Sequence, residues 1–161
     1  MIFYTNIEIL ISNWWLLTGW YYSWSRARDD VDREYVSICD SGMRLAEEGD
    51  LENAIREFEE AAKLKPYSLR AYQNLSILYS RTKRYGEAER ILRKILELRP
   101  VSEEAHANMG NLYMLRGDLD EAERWFNMAL DINPAHEYSL QMTETIARLR
   151  KSSDRDGPSG R

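Results

Sequence analysis

From Val31 onward the apolar residues recur at intervals of three and four, and no stretch alternates apolar with polar residues in the manner of a strand. The chain therefore reads as helical throughout. The breaks are as regular as the runs: Pro66, Pro100 and Pro134 stand thirty-four residues apart. Ahead of each proline the same three core positions return, as Ala54, Phe58 and Ala61, then Ala88, Leu92 and Ile95, then Ala122, Phe126 and Ala129. Earlier in each period Gly42 and Leu45 correspond to Ser76 and Tyr79, and to Gly110 and Tyr113. Three copies in one register predict three helical hairpins over residues 35–136, each ended by a proline that lacks an amide hydrogen and disfavours helix in the residue before it.

The turn inside each hairpin is legible as well. Gly49 and Gly117, in "EGDLENA" and "RGDLDEA", suit a left-handed residue closing the first helix, and Asp50 and Asp118 suit the cap of the second. In the middle copy the turn reads "RTKRYGEA", with Gly86 displaced, which predicts a slightly different geometry there. Gly42, Ser76 and Gly110 are small enough for paired helices to approach closely, and Ala54, Ala88 and Ala122 serve the same approach from the other side. A last hairpin needs a lid, and residues 137–151, "EYSLQMTETIARLRK", are apolar on one side and predict a capping helix. Residues 152–161 read as a polar tail.

Taken together, the period, the small residues at the crossings and the closing prolines resemble the tetratricopeptide repeat family over residues 35–151. The resemblance implies an all-α fold, a solenoid of three helical hairpins plus a capping helix. It also implies a concave surface lined by the first helix of each hairpin. The positions so implied are Val36, Cys39, Asp40 and Met43 in the first unit, and Arg70, Gln73, Asn74 and Ile77 in the second. Glu104, Ala107, Asn108, Asn111 and Met114 follow in the third, with Tyr138, Gln141 and Met142 from the cap. Asn74 and Asn108 occupy the register at which the family often clamps the backbone of a bound peptide. Relatives that hold the terminal carboxylate of a chaperone tail use lysine, asparagine and arginine at positions that are Cys39, Met43, Asn74, Glu104 and Asn108 here. Only Asn74 fits, and Glu104 would repel a carboxylate, so no chaperone-tail binding is expected.

Charge narrows the partners. A net charge of −5 and a pI near 5.2 supply no basic footprint for nucleic acid. Within the repeats the charge alternates: residues 35–68 hold eight acids and four bases, 69–102 three acids and eight bases, and 103–136 seven acids and two bases. The basic middle unit, with Arg81, Lys83, Arg84, Arg90, Arg93 and Lys94, attracts its acidic neighbours, receives an acidic partner or lies near anionic lipid heads. Catalytic chemistry is absent from the pattern. There is no phosphate-cradling glycine loop, no nucleophile elbow and no metal-spaced histidine pair. The lone Cys39 and the two histidines, His106 and His136, read as structural. Neither an enzyme, a cofactor nor a small-molecule substrate is expected.

Ahead of the repeats, residues 2–24 contain no lysine or arginine and one acid, Glu8. As a helix this segment would run about 34 Å at ~1.5 Å per residue, enough for the ~30 Å of a bilayer's hydrocarbon. Trp14, Trp15, Trp20, Tyr21, Tyr22 and Trp24 precede Arg26 and Arg28, in the manner of an aromatic belt followed by a basic stop. Residues 1–25 are accordingly expected to be a single-pass membrane anchor contacting lipid, with 26–34 as a charged linker and the repeats on the cytoplasmic or equivalent side. Glu8, Asn6 and Asn13 argue against a lone span, because polar atoms in hydrocarbon need partners. Two other placements stay open: the segment docks on protein, in the groove or on a second copy, or it lies flat on a surface. The functional expectation is a membrane-tethered scaffold or assembly factor that binds a protein partner, with a membrane complex as the expected partner. The alternatives are an integral subunit of a membrane complex and a soluble peptide-binding adaptor.

Overall fold

The computed structural model describes the backbone of residues 4–155 and the side chains of residues 21 and 23–152. Seven helices follow one another among the described residues: α1 (Tyr4–Glu47), α2 (Leu51–Leu64), α3 (Leu69–Arg81), α4 (Tyr85–Leu98), α5 (Glu103–Arg116), α6 (Leu119–Ile132) and α7 (Glu137–Arg155). They pair as three hairpins, α1–α2, α3–α4 and α5–α6, and each hairpin stacks on the next through α2–α3, α4–α5 and α6–α7. Val31 onward is the part of α1 that joins the first hairpin: Asp32 forms an ion pair with Lys65, and the Tyr35 hydroxyl bonds Ser68 Oγ at 2.7 Å.

The core follows the thirty-four-residue register. Ala54, Ala88 and Ala122 are fully buried, as are Phe58 and Phe126, with Leu92 at the equivalent place in the middle unit. A β-carbon on Gly42 would meet the Phe58 ring at 2.9 Å, and one on Gly110 would meet the Phe126 ring at 2.8 Å. Where the middle unit has the smaller Leu92, the facing position carries Ser76, so volume is conserved across each crossing. Ile146 of α7 is fully buried and joins Ala107, Ala122, Phe126 and Ala129 in the last cluster, which makes α7 the lid of the stack.

The three hairpin turns share one hydrogen-bond pattern, including the middle one. Asp50 N donates to Leu45 O at 2.9 Å, Arg84 N to Tyr79 O at 2.8 Å and Asp118 N to Tyr113 O at 3.0 Å, the six-to-one bond of a Schellman ending. Gly49 (φ +86°) and Gly117 (φ +84°) take the left-handed residue, and in the middle turn Lys83 takes it at φ +60°. The turn geometry therefore does not depart in the second unit, contrary to the expectation from the displaced Gly86. A lysine adopts what glycine adopts elsewhere, at a cost of about 1 kcal/mol. The second helices differ in their caps: the Asp50 and Asp118 carboxylates accept from Asn53 N and Glu121 N, whereas Arg84 caps without a side-chain bond.

Two expectations change at the ends. Residues 26–34, read from the sequence as a charged linker, are helical and continue α1 without a break. With forty-four residues α1 runs about 66 Å. The membrane-anchor reading is overturned: among the described residues no helix is long and apolar enough to cross a membrane. Length is sufficient in α1, so composition is what fails. Thr5, Asn6, Glu8, Ser12, Asn13 and Thr18 interrupt the aliphatic residues, and the tryptophans and tyrosines carry amphipathic rings that prefer a boundary to hydrocarbon. With the span goes the single-pass placement, and lipid contact and a membrane complex lose their support. The side chains of Trp14, Trp15, Trp20 and Tyr22 lie outside the described residues. Tyr21 and Trp24 are exposed, their rings 6.4 Å apart, and Arg28 lies over Trp24 at 4.9 Å. At the other end α7 runs on to Arg155, beyond the expected limit at Lys151, and residues 156–161 of the expected polar tail lie outside the described residues.

Two measurements test this packing. Gly110→Ala is expected to destabilise by about 1–3 kcal/mol in urea unfolding, because the new β-carbon would lie 2.8 Å from the fully buried Phe126 ring and force it to shift within a packed core. Gly86→Ala, with open space at its β-carbon, is expected to be neutral or to stabilise by up to ~1 kcal/mol. Tyr79 donates its hydroxyl to Glu59, and its pKa is pushed up to about 12 by burial first and by Glu59 second. An unfolded tyrosine titrates near ~10. The Tyr79 contribution to stability is thus full below that pH and falls as pH rises from there towards about 12. The dependence of unfolding midpoints across that range should weaken in Tyr79→Phe, with Tyr35, Tyr113 and Tyr138, whose pKa values are raised as well, keeping the remainder.

Candidate functional site

The first helices of the hairpins, α1, α3 and α5, lie side by side with α7 in one layer. Side-chain bridges mark the sequence: Arg70 Nη2 donates to Asp40 Oδ1 at 2.9 Å between α3 and α1, and the Tyr138 hydroxyl donates to Asn111 Oδ1 at 3.0 Å between α7 and α5. Side chains of this layer that do not enter the core form one continuous surface. Stacked hairpins of this kind curve, and the first-helix layer is the inner side of the curve.

The residues expected on that surface fall into three groups. At the first junction Met43 is exposed and its sulfur lies 3.3 Å from Arg70 Nη2. Gln73 and Asn74 are half-buried on α3, and Asn74 Nδ2 donates to the Arg70 carbonyl at 2.8 Å, while its carboxamide oxygen accepts no hydrogen bond among the described residues. At the second junction Ile77, Asn108 and Asn111 come together in a cleft of ≈ 310 Å³. At the third, Tyr138 sits edge-on to Phe126 with centroids 6.0 Å apart, and burial pushes its hydroxyl pKa up. Met114 packs against the last core cluster, and Gln141 is exposed on α7. Two further positions that the family register places on the surface are not available: Cys39 is fully buried and Ala107 nearly so, both absorbed by the core.

The cleft also holds residues that the sequence pattern did not place on this surface. Its floor is Leu92 and Tyr85, its apolar rim is Ile77 and Leu115, both about half exposed, and Ser76 and Ser80 form one wall. Both serine hydroxyls are spent on helix carbonyls, Ser76 on Gln73 O and Ser80 on Ser76 O, each at 2.8 Å. Arg81 and Lys83 complete the lining. Arg81 and Lys83 were marked in the sequence as cations of the basic unit, and the place of Lys83 was marked again, because it stands thirty-four residues from both Gly49 and Gly117, where the other turns spend a glycine. Leu115 had no such mark, because one exposed leucine on a helix is ordinary.

Half of the eight cations of the basic middle unit, Arg70, Arg84, Arg93 and Lys94, are committed to carboxylates. Arg84 bonds Glu87, reaches Glu52 of the preceding unit at 3.6 Å and lies over the Tyr79 ring at 4.6 Å. Arg93 holds Glu89, and Arg116 reaches back to the same carboxylate at 2.7 Å, so Glu89 is held below the usual carboxylate range by Arg93 first and Arg116 second. Lys94 pairs with Glu97. Arg150 of α7 grips Asp120 and Glu123, both at 2.6 Å. The alternating charge of the three units is in part a set of clasps between neighbours. His106 is also accounted for: its Nδ1 lies 2.8 Å from Ser102 O and its ring packs on Trp125 at 5.7 Å.

The chain belongs to the tetratricopeptide repeat family, whose family model matches residues 45–107 and 83–142. No curated protein matches the chain in sequence. Its fold is similar to that of the TPR domain of Sgt2 from Aspergillus fumigatus, with 15% identity, a TM-score of 0.69, and 80% of this chain and 86% of that one covered. The first TPR of Spaghetti (RPAP3), solved with the HSP90 peptide SRMEEVD, is similar at 18% identity and a TM-score of 0.66, covering 74% of this chain and 94% of that one. The second TPR domain of human RPAP3, solved with the HSP70 peptide SGPTIEEVD, has 22% identity and a TM-score of 0.65, covering 73% and 98%.

Proposed function

We propose that the chain is a non-catalytic adaptor that binds an extended segment of a partner protein along the surface formed by α1, α3, α5 and α7. The observation that carries this reading is the pair Asn74 and Asn108. They stand one period apart on neighbouring helices, half-buried, and the core needs neither of them. The Asn108 side chain makes no hydrogen bond among the described residues, and the Asn74 side chain uses only its amide nitrogen. Carboxamides one repeat apart can donate to and accept from the main chain of a peptide laid across both helices. Met43, Ile77 and Tyr138 add apolar contact along the same line, with Arg70, Gln73, Asn111, Met114 and Gln141 beside them.

Two of the similar domains were solved with peptides ending in EEVD, which supports a peptide as the ligand class. The termini of those peptides are not the ligand read here. At the positions the family uses to hold a terminal carboxylate this chain has Cys39, Met43, Asn74, Glu104 and Asn108, among which no cation stands, and Cys39 is fully buried. A carboxylate taken from water into such a place would lose hydration with nothing to replace it.

Peptides selected against the full chain from a random library provide the test. Asn74→Ala combined with Asn108→Ala should weaken the selected peptides at least about tenfold, the loss of one to two hydrogen bonds to each amide. Arg93→Ala with Lys94→Ala, on α4, should leave affinity unchanged. Selected peptides that bind the asparagine double variant as well as they bind the parent would overturn the reading.

A further inference from the structure

Building on the reading of the first-helix layer as a peptide-binding surface, we infer that the cleft between α3, the start of α4 and α5 is the specificity site of that surface. Its occupant is a short internal acidic segment, one apolar side chain of which enters the cleft while neighbouring carboxylates meet Arg81 and Lys83.

Three observations converge on this occupant. The first is shape and apolarity. The cleft of ≈ 310 Å³ has an aliphatic and aromatic floor, Leu92 and Tyr85, and a rim of Ile77 and Leu115 that are 51% and 49% exposed. An apolar side chain placed there removes both rim residues from water. The second is charge. Arg81 and Lys83 are exposed at the cleft, and among the described residues neither side chain forms an ion pair or hydrogen bond; Arg70, Arg84, Arg93 and Lys94 of the same unit do, and of its four uncommitted cations Arg81 and Lys83 line the cleft while Arg90 and Arg99 do not. The unit's surplus positive charge is therefore left in part at the mouth of the cleft. The third is backbone strain. Lys83 occupies the left-handed position that glycine holds in the first and third turns. A glycine would make the turn at lower cost, and strained non-glycine residues cluster at binding sites. What lysine adds at that point is an ammonium group beside the cleft.

The flanking units limit the length of the acidic segment. Residues 35–68 and 103–136 carry acidic surpluses, so carboxylates reaching more than a Debye length of about 8–10 Å from Arg81 and Lys83 meet repulsion instead of attraction. A cluster of two or three acids around one apolar residue fits, and a long polyanion such as nucleic acid does not. Asn108 and the Asn111 amide nitrogen, whose partner oxygen is already held by Tyr138, face the main chain of such a segment.

The experiment uses the full chain and arrays of N-acetylated, C-amidated nonapeptides with a central leucine or phenylalanine flanked by glutamates, by glutamines or by lysines. Fluorescence anisotropy on the best of each series is expected to show the glutamate peptides binding at least about tenfold more tightly than their glutamine counterparts, the effect of two charge pairs at a partly desolvated rim. Raising the salt should weaken that preference. Lys83→Gly is expected to weaken the glutamate series about fivefold while leaving Tm unchanged or raised, since it relieves the turn. Arg81→Gln and Ile77→Ser should weaken it comparably at unchanged helicity, and Arg90→Gln with Arg99→Gln should not. Equal binding of the glutamate and glutamine series would overturn the inference, as would equal losses in the Arg90/Arg99 variant, which would indicate unspecific attraction to base-rich surface. Tighter binding of a single-stranded oligonucleotide, or binding restored only by a free carboxyl terminus, would overturn it as well. Binding that falls with Asn74→Ala and Asn108→Ala but ignores Arg81 and Lys83 would sink this inference and leave the adaptor reading standing; binding that ignores both sets would sink both.

Discussion

Phe58 lies on Gly42 and Phe126 on Gly110 so closely that a β-carbon would collide with the ring. That contact decides how near the two helices of a hairpin can come and at what angle they cross. Everything further out follows from it. The alanines at 54, 88 and 122 are buried because the crossing leaves room for a methyl group and nothing larger. The first helices then stand in one layer and the second helices in another, and the outward residues of the first layer become a surface by default. The middle unit keeps the spacing with Ser76 against Leu92, a different pair of similar combined bulk. Close packing tolerates that exchange, because what is conserved is filled volume and not residue identity.

Electrostatics is arranged on top of this frame. Lys65 with Asp32 closes the first hairpin, and clasps between successive units, Arg70 with Asp40, Arg84 with Glu52, Arg116 with Glu89 and Arg150 with Asp120 and Glu123, run the length of the stack. Each is exposed or partly so and contributes about 0–1 kcal/mol, so they tune the stacking that the core creates. The consequence for function lies in what they leave over. Among the described residues, once the clasps are made, the side chains of Arg81 and Lys83 stand uncommitted at the edge of an apolar cleft, with Arg90 and Arg99 uncommitted away from it, and the side chains of Asn74 and Asn108 have hydrogen-bonding capacity that the fold does not use.

The aromatic start of α1 shows where residue pattern alone misleads. Tryptophans ahead of two arginines look like a membrane boundary when read as a list. The balance of aliphatic against polar residues is what decides crossing, and here it falls short. The same helix also shows continuity that charge content hid. Asp29, Asp30, Asp32 and Arg33 read as a linker, yet charged residues are compatible with helix when they can pair locally, as Arg33 does with Asp30 at 2.8 Å.

By itself the sequence determined the fold class, the thirty-four-residue unit, the hairpin pairing and the lid. Each of these depends on features written locally: periodic apolar positions, small residues at crossings, a proline at each close. It also marked Asn74 and Asn108 by register, and even the place of Lys83. Tertiary structure decided which register positions are surface and which are core, burying Cys39 and Ala107 while exposing Ile77. It decided as well which cations are spent on neighbours and which are not. It brought Leu92 and Tyr85 of one hairpin under Asn108, Asn111 and Leu115 of the next to make the cleft. Those outcomes depend on distances between residues that are far apart in the chain, and such distances exist only after the helices have packed.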